Sequence, residues 1–213
     1  MTVNASYRAA WVPDDDPNRP WDEASALAVE WIEAEARQRG QRVVLVTNTR
    51  DVYISGSPLS RYSWPNTHTS PRSGWSGSRG VPVLSYVPHE KELDFATDLA
   101  HGSALCIVET VNSPVGGWAA SVGALNLISG VPSSLDPKLA EHLDTLAFYG
   151  NNGYPRGFDR DRAQNVLDDI QRDGHLDRGL IVSALAAHRI SVNGRVNIGK
   201  MIDAMHGGRS RRR

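Results

Sequence analysis

VPVLSYVPHEKELDFATDLAHGSALCIVETVNSPVGGWAASVGALNLI, residues 81–128, is the stretch whose reading decides the fold. Residues 81–87 are apolar and rich in β-formers. Residues 90–101 set Leu93, Ala96, Leu99 and Ala100 on one helical stripe, with Gly102 suited to the helix exit. Residues 104–108 are apolar again, and 118–128 return to a helical pattern after a Pro and Gly turn. Strand, helix, strand and helix in unbroken succession make a βαβα unit. The expected class is α/β: a Rossmann-like, mostly parallel sheet of few strands flanked by helices. Such sheets meet their ligands at the carboxyl ends of the strands.

Upstream, residues 21–39 carry Ala24, Leu27, Ala28, Trp31 and Ile32 on one face, with Pro20 at the entrance and Gly40 at the exit, which predicts an amphipathic helix. Residues 42–47 hold Val43, Val44, Leu45 and Val46 without polar alternation, the pattern of a strand buried on both faces. Residues 1–20 are polar, with Asp14, Asp15 and Asp16 between prolines and no sustained period, so they are expected to form an extended arm. Three adjacent carboxylates invite a metal, but without spaced ligands they read more simply as solvated acids ahead of a helix.

Residues 52–80 break the α/β rhythm. They are rich in Ser, Gly, Pro, Asn and Thr, yet include Tyr53, Tyr62, Trp64, His68 and Trp75 beside Arg61, Arg72 and Arg79. A loop of this length in a compact domain is expected either to fold over a ligand, with Trp64 and Trp75 available for stacking, or to pack on its own domain. Downstream of residue 133 the strand patterns stop. Helical stripes recur at 136–148, 159–172, 177–188 and 195–205, which predicts a C-terminal helical subdomain over 133–206 and a basic tail over 207–213.

The totals narrow the function classes. Hydrophobic residues at 40% suffice for a packed core. The net charge is −1, and without Arg209, Arg211, Arg212 and Arg213 the remainder carries −5, a poor balance for a general phosphate-backbone binder. The single cysteine, Cys106, excludes an intrachain disulfide and a Cys-rich zinc site, and its place in an apolar strand predicts a buried small hydrophobe. The start of the chain lacks a secretory pattern, and no apolar run nears the roughly 18 residues of a membrane span. The expected location is cytoplasmic, with no membrane partner.

Polar residues follow each predicted strand: Asn48, Thr49 and Asp51 after the first, His89 and Glu90 after the second, Glu109, Thr110 and Asn112 after the third. Parallel strands would bring these to one rim, where Glu109 and His89 have the titratable groups for acid–base work. Gly116 and Gly117 precede a helix and suit close approach of an anion, although neither G-x-G-x-x-G nor a P-loop occurs. No G-x-S-x-G, H-E-x-x-H or H-x-H is present, so neither an elbow nucleophile nor a metal site is expected, and no motif names a cofactor or a reaction. The leading expectation is therefore a small anionic ligand, with a nucleotide as candidate, bound at the strand ends. The alternative is a non-enzymatic regulatory or interaction protein in which the 52–80 loop is a protein-binding surface, with nucleic acid as a candidate partner through a helix-turn-helix near 180–204, Arg195, Asn197 and Lys200 outward and the Arg-rich tail assisting.

Overall fold

The computed structural model describes residues 3, 5–49, 56–64 and 67–210, the side chains of 208–210 excepted. In chain order the elements are β1 (Arg8–Val12), α1 (Trp21–Arg39), β2 (Val44–Val46), β3 (His68–Thr69), β4 (Val83–Tyr86), α2 (Glu90–Leu99), β5 (Ala104–Val108), α3 (Gly116–Val122), β6 (Leu125–Asn126), α4 (Pro137–Tyr149), α5 (Phe158–Arg172), α6 (Arg178–Ala187) and α7 (Val192–Ser210). Short 3-10 turns occupy Pro58–Tyr62 and Gly150–Asn152. The chain divides into a sheet unit, residues 4–114 and 123–133, and a helical unit, residues 1–3, 115–122 and 134–213. The fold is α/β and Rossmann-like, with an all-parallel six-stranded sheet and additional C-terminal helices. Among the described residues no helix is long and apolar enough to cross a membrane.

The sheet unit has the strand order β3-β2-β4-β5-β1-β6. Its central correction to the sequence reading is β1. The expected arm at 1–20 instead supplies a strand paired with β5 along its whole length and with β6 through Ala10 and Trp11. Arg-Ala-Ala-Trp-Val has little β-branching and no alternation, so local preference hides a strand that its neighbours impose. A carboxylate at the far end of α1 helps hold it: Glu35, 3% exposed, accepts Arg8 at 2.6 Å and Arg39 at 2.5 Å. Above this sheet α1 lays Ala24, Ala28, Val29, Ile32 and Ala36 against Ala10, Val12, Leu45, Leu84, Cys106 and Val108. Its alanines let the helix approach closely. Gly40 ends it in the left-handed region at φ 62°, returning its N–H to the last turn.

Two further differences concern the ends of the central stretch. The helix expected over 118–128 is α3, and it stops at Gly123, whose φ of 66° no helix continues. Leu125–Asn126 then becomes the edge strand β6, returned by a turn in which Asn126 Oδ1 accepts the N–H groups of Ile128 and Ser129. The described residues within 52–80 also have more structure than expected, whereas Tyr53 lies outside the described residues. The 3-10 turn at Pro58–Tyr62 buries Leu59 and Tyr62 in the α1 core, and the Tyr62 hydroxyl donates to Glu33 at 2.7 Å.

The helical unit closes around Leu143, Leu146, Leu167, Ile170, Ile181, Leu185, Ile198 and Ile202. Asp136 and Asp177 cap α4 and α6 through their carboxylates, accepting from Lys138 and Leu139 and from Leu180. Arg195, expected outward, is 1% exposed and donates to the Ile190 carbonyl, while Asn197 donates to Gly153 O at 2.9 Å. Of the three side chains offered for DNA contact, Arg195 is buried, Asn197 is half-buried and engaged within the fold, and Lys200 is exposed. Gly116 and Gly117 belong to this unit as well. An added Cβ at Gly117 would lie 1.8 Å from Leu180 O, and the Gly117 N–H already donates to Ser183 Oγ at 3.1 Å. The glycine serves the contact of α3 with α6.

Gly117→Ala is expected to destabilise the protein by about 3 kcal/mol, the upper end for overpacking against a backbone that cannot yield, measured by urea unfolding. A neutral substitution would show that the two helices separate freely. Burial holds the His188 imidazole below its ordinary 6.5 even with Asp144 at 3.8 Å. The unfolded chain then binds the extra proton, so this contribution to stability is complete above about pH 6.5 and is lost as pH falls below it. His188→Gln should flatten that part of the stability profile; an unchanged slope would place its origin elsewhere.

Candidate functional site

Adjacent strands β5 and β1 send the chain in opposite directions along the sheet. After β1 it runs to β2, on the β5 side; after β5 it passes beyond β1 to β6. At a topological switch point of this kind, α/β folds meet their ligands outside the carboxyl ends of the strands. Both loops at that point carry acids, and each carboxylate is used to hold the other loop. Asp14 N–H donates to Glu109 Oε2 at 3.1 Å, and Val111 N–H donates to Asp14 Oδ2 at 2.7 Å. Ser113 extends the stitching to the turn after β4 by donating to Pro88 O at 2.6 Å. Asp15 is engaged by Arg19 at 2.7 Å, and the same guanidinium donates to Pro13 O at 2.7 Å. The acidic triplet thus organises a loop. Among the described residues no group of three or more His, Cys, Asp or Glu is arranged to hold a metal.

The neighbouring half of the rim lies at the ends of β3, β2 and β4. Here the Thr47 hydroxyl donates its one proton to Thr49 O at 2.6 Å, so it must accept from His68 Nε2 at 2.7 Å. That assigns the ring proton to Nε2 of a histidine only 5% exposed. Beside this hydrogen-bonded run, two buried polar atoms lack hydrogen-bond partners among the described residues: Asn48 Oδ1 and Ser85 Oγ. Ser85 is 0% exposed and pairs in register with Val46, two residues before Asn48. Just past Ser85, Val87 adopts φ 50°. A β-branched residue in the left-handed region is a costly exception, and such strain collects at sites where the backbone must be aimed. The Tyr86 hydroxyl between them is pushed up from its ordinary value mainly by burial.

Because β2, β4 and β5 are adjacent and parallel, Asn48, His89 and Glu109 do lie along one edge of the sheet. Their individual settings differ. His89 is exposed and precedes α2 without capping it, Thr49 and Asn112 are exposed, and Thr110 is buried. Asp51 lies outside the described residues. Trp64 is 69% exposed, whereas the Trp75 indole donates to Ser78 O at 3.0 Å and closes its own turn. Gly116 and Gly117 fall in the helical unit. Cys106 is fully buried, and burial pushes its thiol up, away from thiolate chemistry. Sequence reasoning missed Asp14, since β1 was unseen, and Ser85, although a lone serine inside an apolar strand is a readable sign of a polar task.

Asp14→Ala and Glu109→Ala should each cost about 1–2 kcal/mol, with the double variant costing less than their sum because both pin the same two loops. Additive losses in urea unfolding would mean that the two carboxylates act independently. The chain matches no protein-family model, no curated protein and no solved structure, so its functional reading rests on the geometry of this rim.

Proposed function

We propose that the sheet unit binds a small metabolite bearing hydroxyl groups and an anionic group, with a nucleotide as the candidate class, at the carboxyl edge of β2, β4 and β5. The observation that carries this reading is the pair of buried atoms Asn48 Oδ1, just beyond β2, and Ser85 Oγ, on the neighbouring β4, which have no partner among the described residues. A buried polar group without a partner costs about 1–3 kcal/mol, so proteins keep few of them and tend to keep them where something else completes the bond. Asn48 Oδ1 needs a donor, and Ser85 can both give and accept. A sugar hydroxyl or a base N–H meets those needs; a bare anion does not.

The acids around this edge favour recognition through the ligand's hydroxyl and N–H groups and leave its anionic group toward solvent. Asp14 and Glu109 are carboxylates, Arg19 is already paired, and Glu90 and Glu92 occupy the first turn of α2. Glu109 and His89 are the titratable groups at this edge for acid–base chemistry on the bound molecule. The alternative of a nucleic-acid-binding regulator is less favoured, because Arg195 and Asn197 are spent on the Ile190 and Gly153 carbonyls.

Ser85→Ala separates ligand binding from folding. Removing an unpartnered hydroxyl while keeping the shape should leave stability unchanged or slightly raised. Ligand affinity, measured by calorimetry after a thermal-shift screen of nucleotides, nucleosides and inorganic phosphate, should fall about tenfold, the equivalent of about 1.4 kcal/mol. If no nucleotide or nucleoside shifts the wild type, or if Ser85→Ala loses stability and keeps affinity, the reading is wrong.

A further inference from the structure

The helical unit exposes two aromatic rings joined through a third, Tyr149, that packs against its core. Phe148, at the end of α4, meets Tyr149 edge to face at 5.3 Å between centroids, and Tyr149 meets Phe158, at the start of α5, at 6.3 Å. Phe148 is 72% exposed and Phe158 66%. The segment between them is firmly supported. Tyr154 is buried and donates to Leu146 O at 2.8 Å, and Asn197 holds the Gly153 carbonyl from α7. Two large rings are therefore presented to solvent on a rigid base, the state in which association loses least ordering entropy.

Charges beside the row identify what fits it. Asp161 and Arg162 stand three and four residues beyond Phe158 and so share its side of α5. The Arg162 guanidinium lies 5.0 Å from the centre of the Phe158 ring. Neither Asp161 nor Arg162 has an ion-pair partner among the described residues. One acid and one base side by side at the edge of an apolar patch is a self-complementary arrangement: under a two-fold axis each Arg162 meets the other copy's Asp161. A nucleic-acid strand would be opposed by Asp161, and a chain whose net charge is only −1 repels a second copy weakly. We propose that Phe148, Tyr149 and Phe158, bordered by Asp161 and Arg162, form an isologous surface that takes a second copy of this chain.

Sedimentation velocity on the full chain tests this directly. The wild type should form a dimer at micromolar concentration, and Phe148→Ser with Phe158→Ser should sediment as a monomer with unchanged far-ultraviolet circular dichroism. Arg162→Glu and Asp161→Arg place like charges across the axis, so each alone should raise the dissociation constant about tenfold or more. Mixed together they restore both attractive pairs and should form a mixed dimer, a result that misfolding cannot produce. A monomeric wild type, a wild-type dimer indifferent to the aromatic substitutions, a mixture that fails to associate, or a monomer that instead captures a single-stranded oligonucleotide through Phe148 and Phe158 would each overturn the proposal.

Discussion

The pairing of Arg8–Val12 on both sides is the constraint from which the sheet unit takes its form. Five consecutive register partners join β1 to β5, and Ala10 and Trp11 continue the ladder to β6. Without β1, the two-residue strand β6 has no neighbour and the chain has no reversal point beside β5. Trp11 and Val12 are buried and contribute to holding the strand, but Ala9 and Ala10 offer little surface to fix its register. Backbone hydrogen bonds to strands already fixed by Val, Leu and Ile side chains, with Arg8 anchored on Glu35, decide where the segment goes.

That dependence explains what was legible in the sequence. Trp21–Arg39 and Ala104–Val108 are readable residue by residue, because an amphipathic stripe bounded by Pro and Gly and a five-residue apolar run are each strong local signals. β1, β3 and β6 are not readable. They are short or weakly β-forming, and their state comes from partners distant in sequence. The helix after Gly116 was over-extended for the complementary reason: its apolar residues continue past Gly123, and only the backbone angle there ends it.

The rim shows the same division. Asn48 and Glu109 are identifiable by position, as polar residues just beyond apolar strands. Their chemistry is not. Whether Glu109 faces solvent or fastens a loop depends on Asp14, and Asp14 is placed by β1. Ser85 and His68 acquire meaning only from the absence or presence of a partner, which no local pattern records. In the glycine pair the signal was correct and its use was different: close approach is required at Gly117, but the approaching group is a carbonyl of α6.

The order of the chain has a consequence for biosynthesis. β1 leaves the ribosome well before β5 and β6, with α1, β2, β3, β4 and α2 made in the interval. The segment that completes the sheet must therefore wait, unpaired, while the rest of its unit is translated, and its low intrinsic β-preference becomes an asset. A strand of Arg, two Ala, Trp and Val carries less β-branched surface for premature pairing with other nascent chains than a Val- and Ile-rich one, which would be an aggregation hazard.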